Sequence, residues 1–338
     1  MTGTAESEAR DIVAAAARAA AEGRALEAVD RLAGLAPADR TPEILARIVE
    51  LRHRAFSELD RLPGRTTWPL EVDDPFPNER GIPEIDRDSL TGEILGGALV
   101  HHGCLRVNGL FDRARAARFR EIIAWVHEER ARRGDETPTE PDWYVPFEPG
   151  REKAEGFGRA AFVRVVDVPR ALSELVDAFA EAGVTGAVAG YFNERPAMIA
   201  NKWGLRRSAP VEARCPDFHQ DGAFLGEGIR TVDCWISLSH CGPGTGAPSI
   251  DLVARRFDVL PAGEGAQFPW SLAEATVRAV AADAPIASPV FAPGDAMFFD
   301  ERLIHRTAAG PDTEARYAIE SWFVAPSSYP EKHLPVVL

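Results

Sequence analysis

Cysteine is scarce in this sequence. Its four copies among 338 residues, Cys104, Cys215, Cys234 and Cys241, form no C-x-x-C pair and are too few to staple a chain of this length. They read as reduced thiols, mostly buried. Missing too is any secretory start, because Met1-Thr2-Gly3-Thr4-Ala5-Glu6-Ser7-Glu8 has neither the basic residues nor the apolar core of a signal peptide. No uninterrupted apolar run approaches a membrane span. A cytoplasmic protein with no membrane partner is the expectation. Positive charge is also in deficit, 38 Lys and Arg against 52 Asp and Glu, and a net −14 argues against nucleic acid, whose binders carry a basic footprint. What remains, 45% hydrophobic and 27% charged residues, is the make-up of an ordinary globular chain with ample core material. The length suits one large β domain with additions, or two domains.

Residues 5–60 are rich in alanine, leucine, glutamate and arginine, with breaks near Gly23 and near Leu35-Ala36-Pro37-Ala38-Asp39, and predict two or three helices. No second copy follows at a fixed period. Residues 1–61 therefore read as a helical segment that packs on the rest of the chain or on a second subunit, a route to a homo-oligomer. Residues 62–87 hold Pro63, Pro69, Pro75, Pro77 and Pro83 among acidic residues and suit an extended connector, which leaves 88–338 as the main domain. There, Asp88 is placed to cap a helix stopped by Gly103, residues 104–107 form a short strand, and 113–132 a second helix. Residues 135–158 combine proline, glycine and acids with Trp143, Tyr144, Phe147 and Phe157. They read either as a lid or as a surface loop packing its own aromatics. A helix is expected over 170–182, and from 184 onward short β-rich runs between Gly and Pro turns suggest an antiparallel sandwich. The fold class is mainly β with α additions (α+β).

One stretch stands out as chemistry. If 218–223 is extended, His219 and Asp221 in Phe218-His219-Gln220-Asp221-Gly222 share a face and can close on one cation. His305, in Leu303-Ile304-His305-Arg306-Thr307, supplies a third ligand. Two imidazoles and a carboxylate on one side of a metal leave three positions open, the arrangement by which non-haem Fe(II) oxygenases hold a cosubstrate and dioxygen together. After His305, Gly310-Pro311-Asp312 is a strong turn sequence, so the strand carrying His305 is expected to fold back into one carrying Arg316 near the metal. A buried guanidinium there suits the far carboxylate of a dicarboxylate, which its planar fork matches in bidentate fashion. Thr307 shares the face of His305 and is placed to add a hydrogen bond. Met198 and Lys202, evenly spaced on a preceding strand, are expected to face the same pocket, and Phe224 to form a substrate wall.

His219-Gln220-Asp221, His305, Thr307 and Arg316 resemble the phytanoyl-CoA dioxygenase family of Fe(II)/2-oxoglutarate oxygenases. So do Ala292-Pro293-Gly294-Asp295-Ala296-Met297-Phe298-Phe299, Glu194-Arg195-Pro196, Asn201-Lys202 and Asp233-Cys234-Trp235-Ile236-Ser237-Leu238, and the resemblance spans residues 89–325. It implies a double-stranded β-helix, the cupin-like jelly roll, with flanking helices. It further implies Fe(II), 2-oxoglutarate and O2 as cofactors, a small-molecule substrate hydroxylated at an unactivated C–H bond, and release of succinate and CO2. Gln220 and Trp235 are implied to line the 2-oxoglutarate pocket. Halogenating relatives lack the carboxylate that Asp221 supplies, which favours hydroxylation, with desaturation or ring closure still open. Leu252-Val253-Ala254-Arg255-Arg256 stands where the family often reads Pro-Gly-Ser-His, so the substrate does not carry over and a CoA ester is not implied.

Blander readings compete for several of these residues. His127-Glu128-Glu129 falls within a helix, where residues two apart diverge. Asp217 also stands two residues from His219 and competes as a ligand if the register differs. His53, His240 and His333 have no partner at ligand spacing, and His101 and His102 suit a helix C-terminus. Gly242-Pro243-Gly244-Thr245-Gly246 reads as a turn, since Pro243 removes an amide a phosphate would need. Arg206-Arg207 and Arg255-Arg256 read as solvated surface, and Trp235 taken alone is equally a core aromatic. Two other functional classes remain: a jelly-roll protein using its cation as a Lewis acid without 2-oxoglutarate, and an interaction protein with a vestigial oxygenase domain.

Overall fold

The alanine-rich amino-terminal stretch forms α1 (Thr2–Ala21), α2 (Ala25–Ala33) and α3 (Pro42–Ala55) in the computed structural model. The structure describes residues 2–61, 70–134, 144–149, 162–202, 204–208, 217–282, 284, 286–308 and 314–338. Thr41 caps α3 through the Ile44 amide, and Pro42 occupies the first turn, where no amide is required. The apolar faces of these helices enclose Val29, Leu32, Ile48 and Leu51 and extend onto Ala197 and Val337 of the main body. Polar ties reinforce the docking: Arg52 donates to the Val337 carbonyl at 2.7 Å, and Arg40 pairs with Asp177 at 2.5 Å.

The chain continues through α4 (Gly92–His102), α5 (Arg113–Arg133), α6 (Pro169–Glu181) and α7 (Val184–Phe192). Thr91, rather than Asp88, caps α4, accepting from the Ile94 amide, because residues Arg87–Ser89 form a separate 3-10 turn ahead of it. Gly103 ends α4 with φ +79, and a Cβ there would lie 2.9 Å from the Arg255 backbone. Helix α7 departs from the β-rich reading of its sequence. Its Gly190 lies against Gly92, where a Cβ on Gly92 would meet the Gly190 Cα at 2.8 Å, while Tyr191 and Phe192 bury completely. Close helix packing outweighs the weak local preference of its Gly and β-branched residues.

The strands are β1 (Glu84–Asp86), β2 (Cys104–Asn108), β3 (Phe162–Val163), β4 (Ala197–Ile199), β5 (Leu205–Ser208), β6 (Phe218–His219) and β7 (Thr231–Ser237). They continue as β8 (Ile250–Arg256), β9 (Ser271–Leu272), β10 (Ile286–Ala287), β11 (Ala296–Phe299), β12 (Leu303–Thr307), β13 (Arg316–Val324) and β14 (Pro335–Val337). The larger sheet runs β1-β2-β11-β7-β13-β4-β14, with β5 also on β13 and β3 on β5; the smaller runs β10-β8-β12-β6-β9. Strand β1 lies inside the stretch read as a connector and pairs parallel with β2. Residues 62–69 of that stretch fall outside the described residues.

Strand β7 is buried along its length because both faces are covered. Val232, Cys234 and Ile236 pack toward the helices, while Trp235 packs with Leu252, Phe299 and Leu303 between the sheets. Helix α9 (Glu274–Val280) covers the outside of the smaller sheet, where Val277 packs with Phe218, Val253 and Ile304. The architecture is α+β, two mainly antiparallel sheets wrapped as a jelly roll with helices on the outside. The expected His305–Arg316 hairpin does not form, since β12 belongs to the smaller sheet and β13 to the larger. The Gly310-Pro311-Asp312 turn lies outside the described residues. Cys104, Cys234 and Cys241 are free and buried, and Cys215 is not among the described residues. No described helix is long and apolar enough to cross a membrane.

Candidate metal centre

His305 on β12 stands opposite His219 on β6 in the antiparallel ladder, with ring centroids 4.4 Å apart. A register shift against β8 between Leu303 and His305 marks a bulge just ahead of the histidine, a common device for aiming a side chain. Both rings are held alike, each Nδ1 bonded to the carbonyl two residues earlier: Asp217 at 3.3 Å for His219 and Leu303 at 3.1 Å for His305. An Nδ1–H donor leaves the Nε2 lone pair as the ligand.

Asp221 reaches the histidines by a different route from strand alternation. Strand β6 ends at His219, and Asp221 has helical φ −62 and ψ −30 at the head of α8 (Gly222–Leu225). The extended reading of 218–223 is therefore corrected: the carboxylate converges because the chain turns. Amides of Phe224 and Leu225 close on the Asp221 carbonyl at 3.1 and 3.0 Å, and Gly222 donates to Glu301 O at 2.8 Å. A Cβ on Gly222 would sit 2.7 Å from Val259 Cγ2 and 3.1 Å from Glu301 O, so the approach needs glycine.

The ligand atoms of His219, Asp221 and His305 lie within 4.8 Å of one another, the His/Cys/Asp/Glu cluster of metal-holding geometry among the described residues. Asp221 Oδ1 is buried, 3.7 Å from His219 Nε2, and has no hydrogen-bond partner. A buried acceptor without a donor asks for an explanation, and a cation supplies one. Burial raises the Asp221 pKa, and burial together with neighbouring His305 holds His219 well below its usual value, so its ring is neutral and able to ligate. Two nitrogens and one carboxylate fit a first-row divalent metal.

Arg316 opens β13 at 1% exposure, its Nη1 donating to the carbonyls of Pro248 at 3.1 Å and Ser249 at 2.9 Å. The Ala308 amide uses the same Ser249 carbonyl at 3.1 Å, which ties the guanidinium to the end of the His305 strand. Arg316 Cζ lies 5.8 Å from the Trp235 ring centroid, and the buried Trp235 Nε1 has no hydrogen-bond partner. Thr307 ends β12 opposite Ile250, two residues from His305.

Other expected positions are corrected. The Gln220 amide is taken up by backbone groups: Nε2 donates to the carbonyls of Asp258 at 3.1 Å and Arg302 at 2.6 Å, and Oε1 accepts from Leu260 N at 2.8 Å. It braces the backbone at Asp258, Leu260 and Arg302. Met198 packs in the core shared with the helices, while its neighbour Ile199 meets Phe224 and Trp322. The even spacing from Met198 to Lys202 fails because β4 ends at Ile199. Lys202 does turn toward the site, with Nζ 4.1 Å from the Phe224 centroid and 3.7 Å from that of Trp322, and burial lowers its pKa to about 8. Phe224 itself lies 6.3 Å from the His219 ring. Asp217 accepts from Gln267 N and Ser271 Oγ at 2.8 and 3.0 Å and is spent there. Arg206 and Arg256 are not simply solvated: they pair with Glu320 and Asp300.

Of the stretch read as a possible lid, Tyr144 is buried and Val145 and Phe147 bond Asp167. Trp143 and Phe157 lie outside the described residues, and so does the lid reading. Asp233, Trp270 and Trp322 also stand near the ligands, and no motif in the sequence marks them as site residues. The available signal was an acid inside the otherwise apolar run Val232-Asp233-Cys234-Trp235-Ile236.

No protein-family model matches the chain, and no curated protein does. Among solved structures it is similar to AviO1 from Streptomyces viridochromogenes Tue57, at 17% identity over 72% of this chain and 98% of that one, with a TM-score of 0.46. It is similar also to the non-heme alpha ketoglutarate dependent carbocyclase SnoK from nogalamycin biosynthesis, at 16% identity, 72% and 87% coverage and a TM-score of 0.46. A third is EctD from S. alaskensis with 2-oxoglutarate and 5-hydroxyectoine, at 15% identity, 80% and 88% coverage and a TM-score of 0.47. Likeness at this level carries no functional argument, and the function has to be read from the site itself.

Proposed function

We propose that this chain is a non-haem Fe(II)- and 2-oxoglutarate-dependent dioxygenase of the phytanoyl-CoA dioxygenase type, hydroxylating a C–H bond of a small organic molecule. The observation that carries the proposal is the convergence of His219, Asp221 and His305 within 4.8 Å, inside a jelly roll whose larger sheet buries Arg316 at the start of β13. Bound Fe(II) with 2-oxoglutarate and O2 supplies the oxidising chemistry, releasing succinate and CO2. His219 and His305 would hold the metal through Nε2, each kept in that tautomer by its Nδ1 bond, and Asp221 would add the anionic ligand. Arg316, its plane set by two backbone carbonyls, would present its guanidinium to the far carboxylate of 2-oxoglutarate. Trp235 Nε1, buried beside Arg316 without a hydrogen-bond partner, would be a further donor there, and Thr307, two residues after His305 on β12, is assigned a hydrogen bond to the same cosubstrate. Apolar Met297, Phe299, Leu303 and Ile250 between the sheets keep water from the reacting groups. A Lewis-acid hydrolase has no use for the Arg316 anchor. A cytoplasmic setting without nucleic-acid or membrane partners accords with the net charge of −14.

The test is anaerobic addition of Fe(II) and then 2-oxoglutarate to metal-free protein. A broad visible charge-transfer band is expected in the wild type and a weakened one in Arg316→Ala. Fe(II) binding without any band would move the assignment to the Lewis-acid class, and absence of metal binding to the interaction protein.

A further inference from the structure

The inner face of the larger sheet holds a second group of residues that the proposed chemistry does not use. Asp233 on β7 is 3% exposed; its Oδ2 accepts from Trp322 Nε1, and its Oδ1 has no hydrogen-bond partner. A buried carboxylate oxygen without a donor is costly, and it marks a place where a donor from outside the chain belongs. The register supports its position near the metal ligands. Asp233 pairs with Trp322 on β13 and with Phe299 on β11, and the Phe299 ring lies 4.6 Å from that of His305.

A row of rings leads from this acid to the surface. Trp322 stacks with Phe224 at 5.8 Å, Phe224 meets Trp270 edge-on at 5.9 Å, and Trp270 lies parallel to Phe268 at 4.9 Å. Phe268 is 44% exposed, unusual for so large an apolar side chain. The row runs past the ligand cluster, since the His219 ring is 5.7 Å from Trp270 and 6.3 Å from Phe224. Lys202 caps the rings of Phe224 and Trp322, and Glu320 on the neighbouring strand is engaged by Arg206. The arrangement therefore has an apolar side, an acceptor at its buried end and a ligating histidine midway.

We infer that this row is the substrate subsite, taking a molecule with a flat apolar body and a hydrogen-bond donor, hydroxyl or ammonium, that Asp233 Oδ1 receives. Docked so, the carbons between body and donor group lie alongside His219. That last statement rests on the oxygenase reading, whereas the subsite itself stands on Asp233 and the rings. Flat apolar groups suit ring faces and edges, and the buried acceptor fixes which end enters first.

The test titrates metal-free full-length protein by calorimetry with 2-phenylethanol, 2-phenylethylammonium and ethylbenzene. At least one donor-bearing probe is expected to bind about tenfold more tightly than ethylbenzene, the upper end of the net worth of one hydrogen bond. Asp233→Leu should erase that preference. Asp233→Asn should keep it for a hydroxyl and lose it for an ammonium, which identifies the donor. The Asn variant also preserves an acceptor for Trp322, so the question remains answerable if the Leu variant does not fold. Equal binding of the three probes, a preference unchanged in both variants, or no saturable binding at millimolar concentration would each overturn the inference. Because the titration needs neither iron nor 2-oxoglutarate, probe binding without the charge-transfer band would retain the subsite and remove the oxygenase, and the converse would remove the subsite alone.

Discussion

Replacing Asp221 with alanine is expected to stabilise the metal-free protein and to destabilise the metal-loaded one relative to wild type. The carboxylate is 3% exposed, its Oδ1 has no donor, and its side chain makes no cap bond to α8, so the truncation removes no hydrogen bond that the fold uses. Relief of a buried unsatisfied acceptor returns about 1–3 kcal/mol, offset in part by lost packing. With an unfolding entropy of about 2.1 cal/mol/K per residue, a net gain of about 1–2 kcal/mol raises Tm by roughly 1.5–3 °C for a chain of this size. Zinc at about a hundred times its Kd should stabilise the wild type by about 2.7 kcal/mol, or roughly 4 °C, and the variant hardly at all. The two proteins should therefore exchange order between chelator and Zn(II) in thermal melts. The pH dependence follows from burial raising the Asp221 pKa. At pH below the folded value the carboxyl is protonated and the cost is small; it grows as pH rises through the folded value. The advantage of the metal-free variant should increase from about pH 4 to pH 8. A metal-free variant that melts below wild type at every pH, or an equal Zn(II) shift in both proteins, would refute the reasoning.

Burial, and then the Asp300 charge, push Glu301 up to about 7, so the folded state binds this proton more tightly than the unfolded state and loses stability as pH rises between the two values. Glu301→Gln, which keeps an acceptor for the Thr231 amide, should match wild type near pH 4 and melt higher at about pH 8, by at most about 3 kcal/mol; an equal shift at both pH values would dismiss the titration. Gly222→Ala should cost about 1–3 kcal/mol through its contacts with Val259 and Glu301 O and weaken Zn(II) binding by displacing Asp221; unchanged zinc affinity would free α8 from any part in placing the ligand. Deleting residues 1–61 uncovers Ala197 and Val337 and removes the Arg52 and Arg40 ties, so aggregation or a lower melting temperature is expected. A soluble monomer that keeps the iron–2-oxoglutarate band, followed by sedimentation and absorbance, would instead assign the helices to a separate partner.

Composition and spacing alone determined a good deal. The alanine- and leucine-rich prefix read as helical and is, Gly103 marked the stop of the helix before it, and most of the Gly- and Pro-punctuated runs from residue 184 onward are short strands, with helices α7, α8 and α9 as the exceptions. The chemical vocabulary of the site, two histidines and an aspartate with a distant arginine, was also legible, because ligand chemistry belongs to residue type. Geometry was not. Strand parity placed Met198 toward the site and missed Ile199, since where a two- or three-residue strand ends is decided by its cross-strand partners. Asp221 looked like the next outward residue of a strand, and only the Gly222 amide's bond to Glu301, 79 positions away in the chain, turns it toward the histidines. The partners of Gln220 lie at Leu260 and Arg302, and the open acceptor on Asp233 appears only when Trp322 is folded against it. Tertiary structure decided these points because a buried polar group is satisfied, or left open, by neighbours that no local stretch of sequence contains.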